Sequence, residues 1–136
     1  MRINDLSLPI KGQCDRGSVI FEMYTNILDL RRWKCSICRR KSFVMGTSSE
    51  KNFVITSGKE FLNVYKWNTN IAEHYFCKFC GINTHHKRRT PLNQFGYNIG
   101  CIEGFEMKWI ENIPFVDNTS IKIVTINRKN AGIEIK

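Results

Sequence analysis

Short apolar runs, broken by Gly, Asn, Ser and Thr, set the pattern of this chain. Residues 18–24, 52–56, 61–67, 72–76, 95–102 and 121–126 are filled with β-branched and aromatic side chains. Such runs suit strands whose side chains alternate between a packed and a solvated face. Ser57-Gly58 and Asn68-Thr69-Asn70 carry turn residues between neighbouring runs. Helical periodicity is weak, with room for a turn or two around 26–32 or 38–42. There is no internal repeat, low-complexity segment or linker. The pattern predicts a mainly β domain of antiparallel strands with few or short helices. The polar tail, 127–136, contains Ala131-Gly132 and is expected to fray.

The length of 136 residues fits one domain over 1–136, and the 42% hydrophobic content allows a modest core. A chain of this size gains from a metal staple. Residues 1–12 have no apolar run of signal-peptide length, and no stretch approaches a membrane span. The expectation is a reduced, cytoplasmic chain in which cysteines bind metal rather than form disulfides.

The net charge of +9 favours anionic partners. It gathers at Arg31-Arg32, Arg39-Arg40-Lys41 and Lys87-Arg88-Arg89, each close to a cysteine or histidine motif. Any one cluster reads as solvated surface; together they can rim a site for an anion. Nucleic acid is a weaker expectation, because basic and aromatic residues interleave only at Arg31-Arg32-Trp33-Lys34.

Six cysteines give the sharpest chemistry. Cys35-Ser36-Ile37-Cys38 and Cys77-Lys78-Phe79-Cys80 are Cys-x-x-Cys pairs, while Cys14 and Cys101 stand alone. Two intervening residues let both sulfurs grip one ion from one turn, and Zn²⁺ takes four such ligands. Gly81 after the second pair suits the left-handed turn of a zinc knuckle. Arg39 follows the first pair, and nearby arginines lower thiol pKa values, which favours reactivity. The pairs could share one site. Their separation exceeds that of a compact ribbon, so Cys14, Cys77 and Cys80 could bind one ion and Cys35 and Cys38 another. A redox dithiol at Cys35 and Cys38 is a further option, without the usual βαβ context. His74 reads as a hydrogen-bonded, semi-buried strand residue. His85 and His86 are adjacent, so on a strand they face opposite sides.

Four blocks carry a family resemblance. Gly12-Gln13-Cys14-Asp15-Arg16-Gly17-Ser18-Val19-Ile20-Phe21 resembles an opening Gly-x-Cys-x-Cys-Gly-x-Val-x-Phe. Trp33-Lys34-Cys35-Ser36-Ile37-Cys38-Arg39-Arg40 resembles a middle Cys-x-Cys-Ser-x-Cys-Arg-Arg. Ala72-Glu73-His74-Tyr75-Phe76-Cys77-Lys78-Phe79-Cys80-Gly81 resembles a third block, and Thr84-His85-His86-Lys87-Arg88-Arg89 with Tyr97-Asn98-Ile99-Gly100-Cys101 a fourth. The chain thus resembles the glutathione-dependent formaldehyde-activating enzymes, which share their domain with centromere protein V. The likeness is strongest over 12–104.

The resemblance implies a β-tent fold clamped by zinc and a carbon–sulfur lyase activity like that of S-(hydroxymethyl)glutathione synthase. It implies structural zinc ligands Cys14, Cys77 and Cys80, and a catalytic zinc at Cys35 and Cys38. Arg16 and Trp33 stand where each site has one more cysteine in the family. Neither side chain can ligate zinc. One zinc is therefore expected and two are possible; Asp15, water, His85 or His86 are candidate replacement ligands. Arg39, Arg40, His85, His86, Arg88 and Arg89 are candidates to bind a small thiol substrate such as glutathione. The alternative is a zinc-stabilised binding module without turnover, serving a protein or nucleic-acid partner.

Overall fold

The computed structural model describes residues 2–27, 29–67, 72–88, 93–116 and 133–135, with backbone only for Trp67 and 133–135. Eleven strands and one short α-helix are assigned in the described residues. In chain order they are β1 (Ile10–Gln13), β2 (Ile20–Met23), β3 (Arg32–Trp33), α1 (Ser36–Lys41), β4 (Met45–Ser49), β5 (Phe53–Ser57), β6 (Leu62–Trp67), β7 (Ala72–Cys77), β8 (Asn83–Lys87), β9 (Gln94–Asn98), β10 (Phe115–Val116) and β11 (Ile133–Ile135). The protein is mainly β, as the apolar pattern predicts.

A six-stranded antiparallel sheet runs in the order β11-β6-β7-β8-β9-β4, and a three-stranded antiparallel sheet in the order β1-β2-β5. Short β10 and β3 pair in parallel. Period-two burial orients the small sheet: Ile10 is buried beside exposed Lys11, and Phe21 and Met23 are buried on either side of half-exposed Glu22. These side chains meet Ile27, Val44, Phe53, Tyr97, Ile99 and Ile102 in the main core. Phe53 stacks on Phe21 at 4.8 Å and meets Phe95 edge-on at 5.5 Å, joining the two sheets.

The expected strands at 18–24, 52–56, 61–67 and 72–76 correspond to β2, β5, β6 and β7. The run at 95–102 is strand only to Asn98; Ile99–Cys101 forms a 3₁₀ turn, with Asn98 Oδ1 accepting from the Gly100 N–H at 3.0 Å. Gly58 turns the chain between β5 and β6 at φ +80°, where a Cβ would strike the Ser18 carbonyl. The described residues of 26–32 are not helical, while the helix near 38–42 is α1. The run at 121–126 and the turn at 68–70 lie outside the described residues. Within the tail, 133–135 pairs with β6 as an edge strand, and the other residues of 127–136 lie outside the described residues.

Strand β8 sits mid-sheet between β7 and β9. It places His86 opposite His74 and His85 opposite Tyr75, and carries an irregularity where Phe76 pairs with Asn83. Gly96 on β9 faces His86; a Cβ there would overlap the imidazole, so only glycine leaves room for the ring.

Candidate functional site

Two turns bring Cys14, Cys77 and Cys80 together. Cys14 follows β1 and enters a tight turn in which its carbonyl accepts from the Gly17 N–H and its N–H donates to the Val19 carbonyl. Cys77 ends β7, and its carbonyl accepts from the Gly81 N–H at 2.8 Å, closing the knuckle that leads to β8. Gly81 has φ +75°, the left-handed geometry expected of it. The three sulfurs lie within 4.8 Å of one another. Backbone N–H groups point at them: Val19 N donates to Cys14 Sγ and Phe79 N to Cys77 Sγ, each at 3.4 Å. Burial raises the Cys77 thiol. Desolvation also pushes Cys80 up, but N–H donors from Arg16 and Ile82 and the neighbouring thiols outweigh it and bring Cys80 down to about 7.

This set fits a thiophilic divalent ion. The donors are soft, close and already served by N–H groups that favour thiolates, the arrangement expected around tetrahedral metal with S–M bonds of about 2.3 Å. Arg16 supports the site with its backbone; its guanidinium instead covers the Phe79 ring at 4.6 Å. Asp15 is exposed and stands outside the ligand cluster. Cys101 is also outside it, buried, with Sγ 3.7 Å from the Asn83 carbonyl, and burial raises its pKa to about 12. A cleft of about 840 Å³ opens beside Cys14, Asp15 and Cys101.

The second constellation lies around α1. Cys35 is the N-cap of this helix and Cys38 its buried residue. Both pack with Met45 and Ala72, and Trp33, Ile37, Phe43 and Tyr65 surround them. The hydrogen bond to Cys35, followed by burial, holds the proton on Cys38 and drives its pKa far up. Lys41, three residues on and one helical turn away, comes close enough to feel both thiols. Its Nζ lies 2.5 Å from His74 Nδ1. Desolvation lowers Lys41 to about 8 against the pull of the two cysteines. His74 stacks on His86 with ring centroids 4.9 Å apart. Burial holds the His74 imidazole neutral and lowers His86 to about 3; the Lys41 charge adds to both.

The remaining candidates separate. His85 lies on the opposite face of β8, stacked on Tyr75 at 4.6 Å and packed by Phe53 and Phe95, with its Nδ1 2.9 Å from Thr84 Oγ1. It is a buried member of an aromatic stack, placed there by strand alternation, and it does not join Cys35 and Cys38. Arg88 covers the Trp33 ring at 5.6 Å and donates to Gln94 Oε1, which puts it beside the thiol cluster. Arg39 and Arg40 are exposed on α1, and Arg40 donates to the Ser36 carbonyl. Arg89 lies outside the described residues. Lys41 and His74 are the members that the cysteine motifs did not point to; the i, i+3 spacing of Cys38 and Lys41 becomes a signal only once α1 is known to be helical.

Around α1 the close soft donors are the two thiols of Cys35 and Cys38. Among the described residues, only Cys14, Cys77 and Cys80 form a group of three or more close ligands.

The sequence matches the glutathione-dependent formaldehyde-activating enzyme family over residues 9–114. This chain belongs to that family. As a member it is also similar in structure to a Rhodobacter sphaeroides protein known from a crystal structure. That protein shares 34% identity and a TM-score of 0.73, over 78% of this chain and 99% of the other. The family assignment makes formaldehyde-activating or related zinc-binding function the frame for both thiol clusters. No helix among the described residues is long and apolar enough to cross a membrane.

Proposed function

We propose that this family member joins a small thiol such as glutathione to formaldehyde or a related carbonyl. The observation that carries the reading is the grouping of buried Cys35, Cys38 and His74 around half-buried Lys41 in a chain of this family. In the reaction the thiol sulfur bonds to the carbonyl carbon, the C=O π bond breaks, and the thiol proton ends on oxygen. The reverse reaction is the carbon–sulfur lyase step.

The chain's own groups suit this chemistry. The Lys41 ammonium, steadied by His74, is placed to stabilise the developing oxyanion and to give it a proton. Its lowered pKa of about 8 makes that proton transferable near neutrality. His86 Nδ1 is buried with no hydrogen-bond partner among the described residues and is available to a polar group of the substrate. Arg88, Arg39 and Arg40 lie where they can draw the carboxylates of a tripeptide thiol. Cys14, Cys77 and Cys80 would hold a structural Zn²⁺ that fixes the β7–β8 turn. A compartment that keeps thiols reduced, such as the cytoplasm, suits both clusters.

The test is exchange spectroscopy with ¹³C-formaldehyde and glutathione. The enzyme should speed formation and breakdown of S-hydroxymethylglutathione well above the spontaneous rate, and Lys41→Met should abolish the gain. Acceleration unaffected by Lys41→Met would refute this assignment. A second reading, a zinc-stabilised binding module without turnover, draws support from Trp33, whose indole packs with the thiols where the family has a cysteine. No acceleration by metal-loaded protein would favour it.

A further inference from the structure

We propose that the Lys41 ammonium, anchored on His74, takes the place of a metal's positive charge beside Cys35 and Cys38, making this centre a metal-free dithiol–ammonium site. The inference rests on the placement of Cys35 and Cys38 in one reactive centre, as argued above.

Three observations converge on it. First, the donor set is short. Among the described residues two thiols are present, and the position of a third carries Trp33, whose indole offers only an N–H and packs against the cluster. Second, the imidazole on Lys41 is engaged. His74 Nδ1 faces Lys41 Nζ at 2.5 Å, its ring lies flat on His86, and His85 points to the other face of the sheet. Third, the cation is built in. Lys41 leaves α1 one turn after Cys38, and its Nζ lies over the Phe43 ring, 5.3 Å from the centroid. A divalent ion entering here would meet an ammonium already held in place. An ammonium beside two buried sulfurs supplies the positive charge that a buried thiolate needs.

Metal content tests this without any measurement of turnover, so its failure separates from failure of the thiol–carbonyl reading. Protein grown and purified in zinc should carry one ion per chain. Cys77→Ser should lose that ion, and the Cys35→Ser/Cys38→Ser variant should keep it. Installing the third thiolate should create a second site only when the cation is removed. Cobalt titration of Trp33→Cys/Lys41→Met should give a second ion per chain with a thiolate-to-cobalt charge-transfer band. Trp33→Cys alone should bind that ion at least about 10-fold more weakly. Retention of the first ion reports that each variant is folded. Two ions in the unmodified chain, loss of an ion in Cys35→Ser/Cys38→Ser, or equal second-ion affinity with and without Lys41 would overturn the proposal.

Discussion

Replacing Gly96 with Ala perturbs the reactive face without touching a thiol. Gly96 pairs with His86 across β9 and β8, and an added Cβ would sit within the imidazole. The ring must move, and the ring it leans on, His74, holds Lys41. His86 is 7% exposed, so there is little free space to receive it. Overpacking of this kind costs about 1–3 kcal/mol. For a chain of this length that corresponds to a fall in Tm of roughly 3–12 °C. Gly100 supplies the control: it is exposed, and its added Cβ would meet only Asn98 Oδ1 at 3.3 Å. Gly100→Ala should change stability by less than about 0.5 kcal/mol. Calorimetric unfolding of both variants, with the metal content of each, gives the comparison. Gly96→Ala should lower Tm and thiol–formaldehyde activity while retaining the ion at Cys14, Cys77 and Cys80. A Tm within about 1 °C of the parent together with unaltered activity would refute the stacking argument.

Cys77→Ser removes one of three clustered sulfurs, and because structural zinc sites supply on the order of 10 kcal/mol of folding free energy, the variant should be metal-free and largely unfolded by circular dichroism. Burial keeps the His85 and His86 imidazoles at about 3, below their unfolded value, so the unfolded chain binds more protons as pH falls beneath about 6.5. Stability should therefore drop with falling pH, by up to about 2.7 kcal/mol per unit for these two groups. Urea unfolding at matched metal content checks the slope, and imidazole NMR at pH 5 should find both rings neutral in the folded protein. Arg16→Ala should keep the metal, because the backbone N–H serves Cys80, and should lose about 1 kcal/mol or less with the Phe79 contact. Loss of metal from that variant would show that the guanidinium itself holds the site.

The strands were legible where apolar residues formed runs: β2, β5, β6 and β7 follow from local composition. β1, β4 and β8 escaped because their sequences, such as Met45-Gly46-Thr47-Ser48-Ser49, hold few apolar residues and become strands through pairing with neighbours. The grouping of Cys14 with Cys77 and Cys80 could be read from motif order. Lys41 could not, because a lysine after two arginines looks like solvated surface. Its burial is set by β7, which arrives from 33 residues away to offer His74. That the guanidinium of Arg16 turns to Phe79 likewise depends on the knuckle's fold rather than on its own neighbours.

The irregular pairing on β8 has a further consequence. Phe76 pairs with Asn83 and Tyr75 with His85, so Thr84 is an extra residue in the ladder. With an unbroken ladder from Phe76 and Asn83, His85 would stand opposite His74 and His86 would fall opposite Glu73. One inserted threonine therefore works as a selector: it decides which of two identical side chains meets Lys41's anchor and which is sealed into the aromatic stack. Removing that irregularity, so that Thr84 pairs within the ladder, would set His85 opposite His74 and turn His86 to the other face, while leaving both histidines in the sequence.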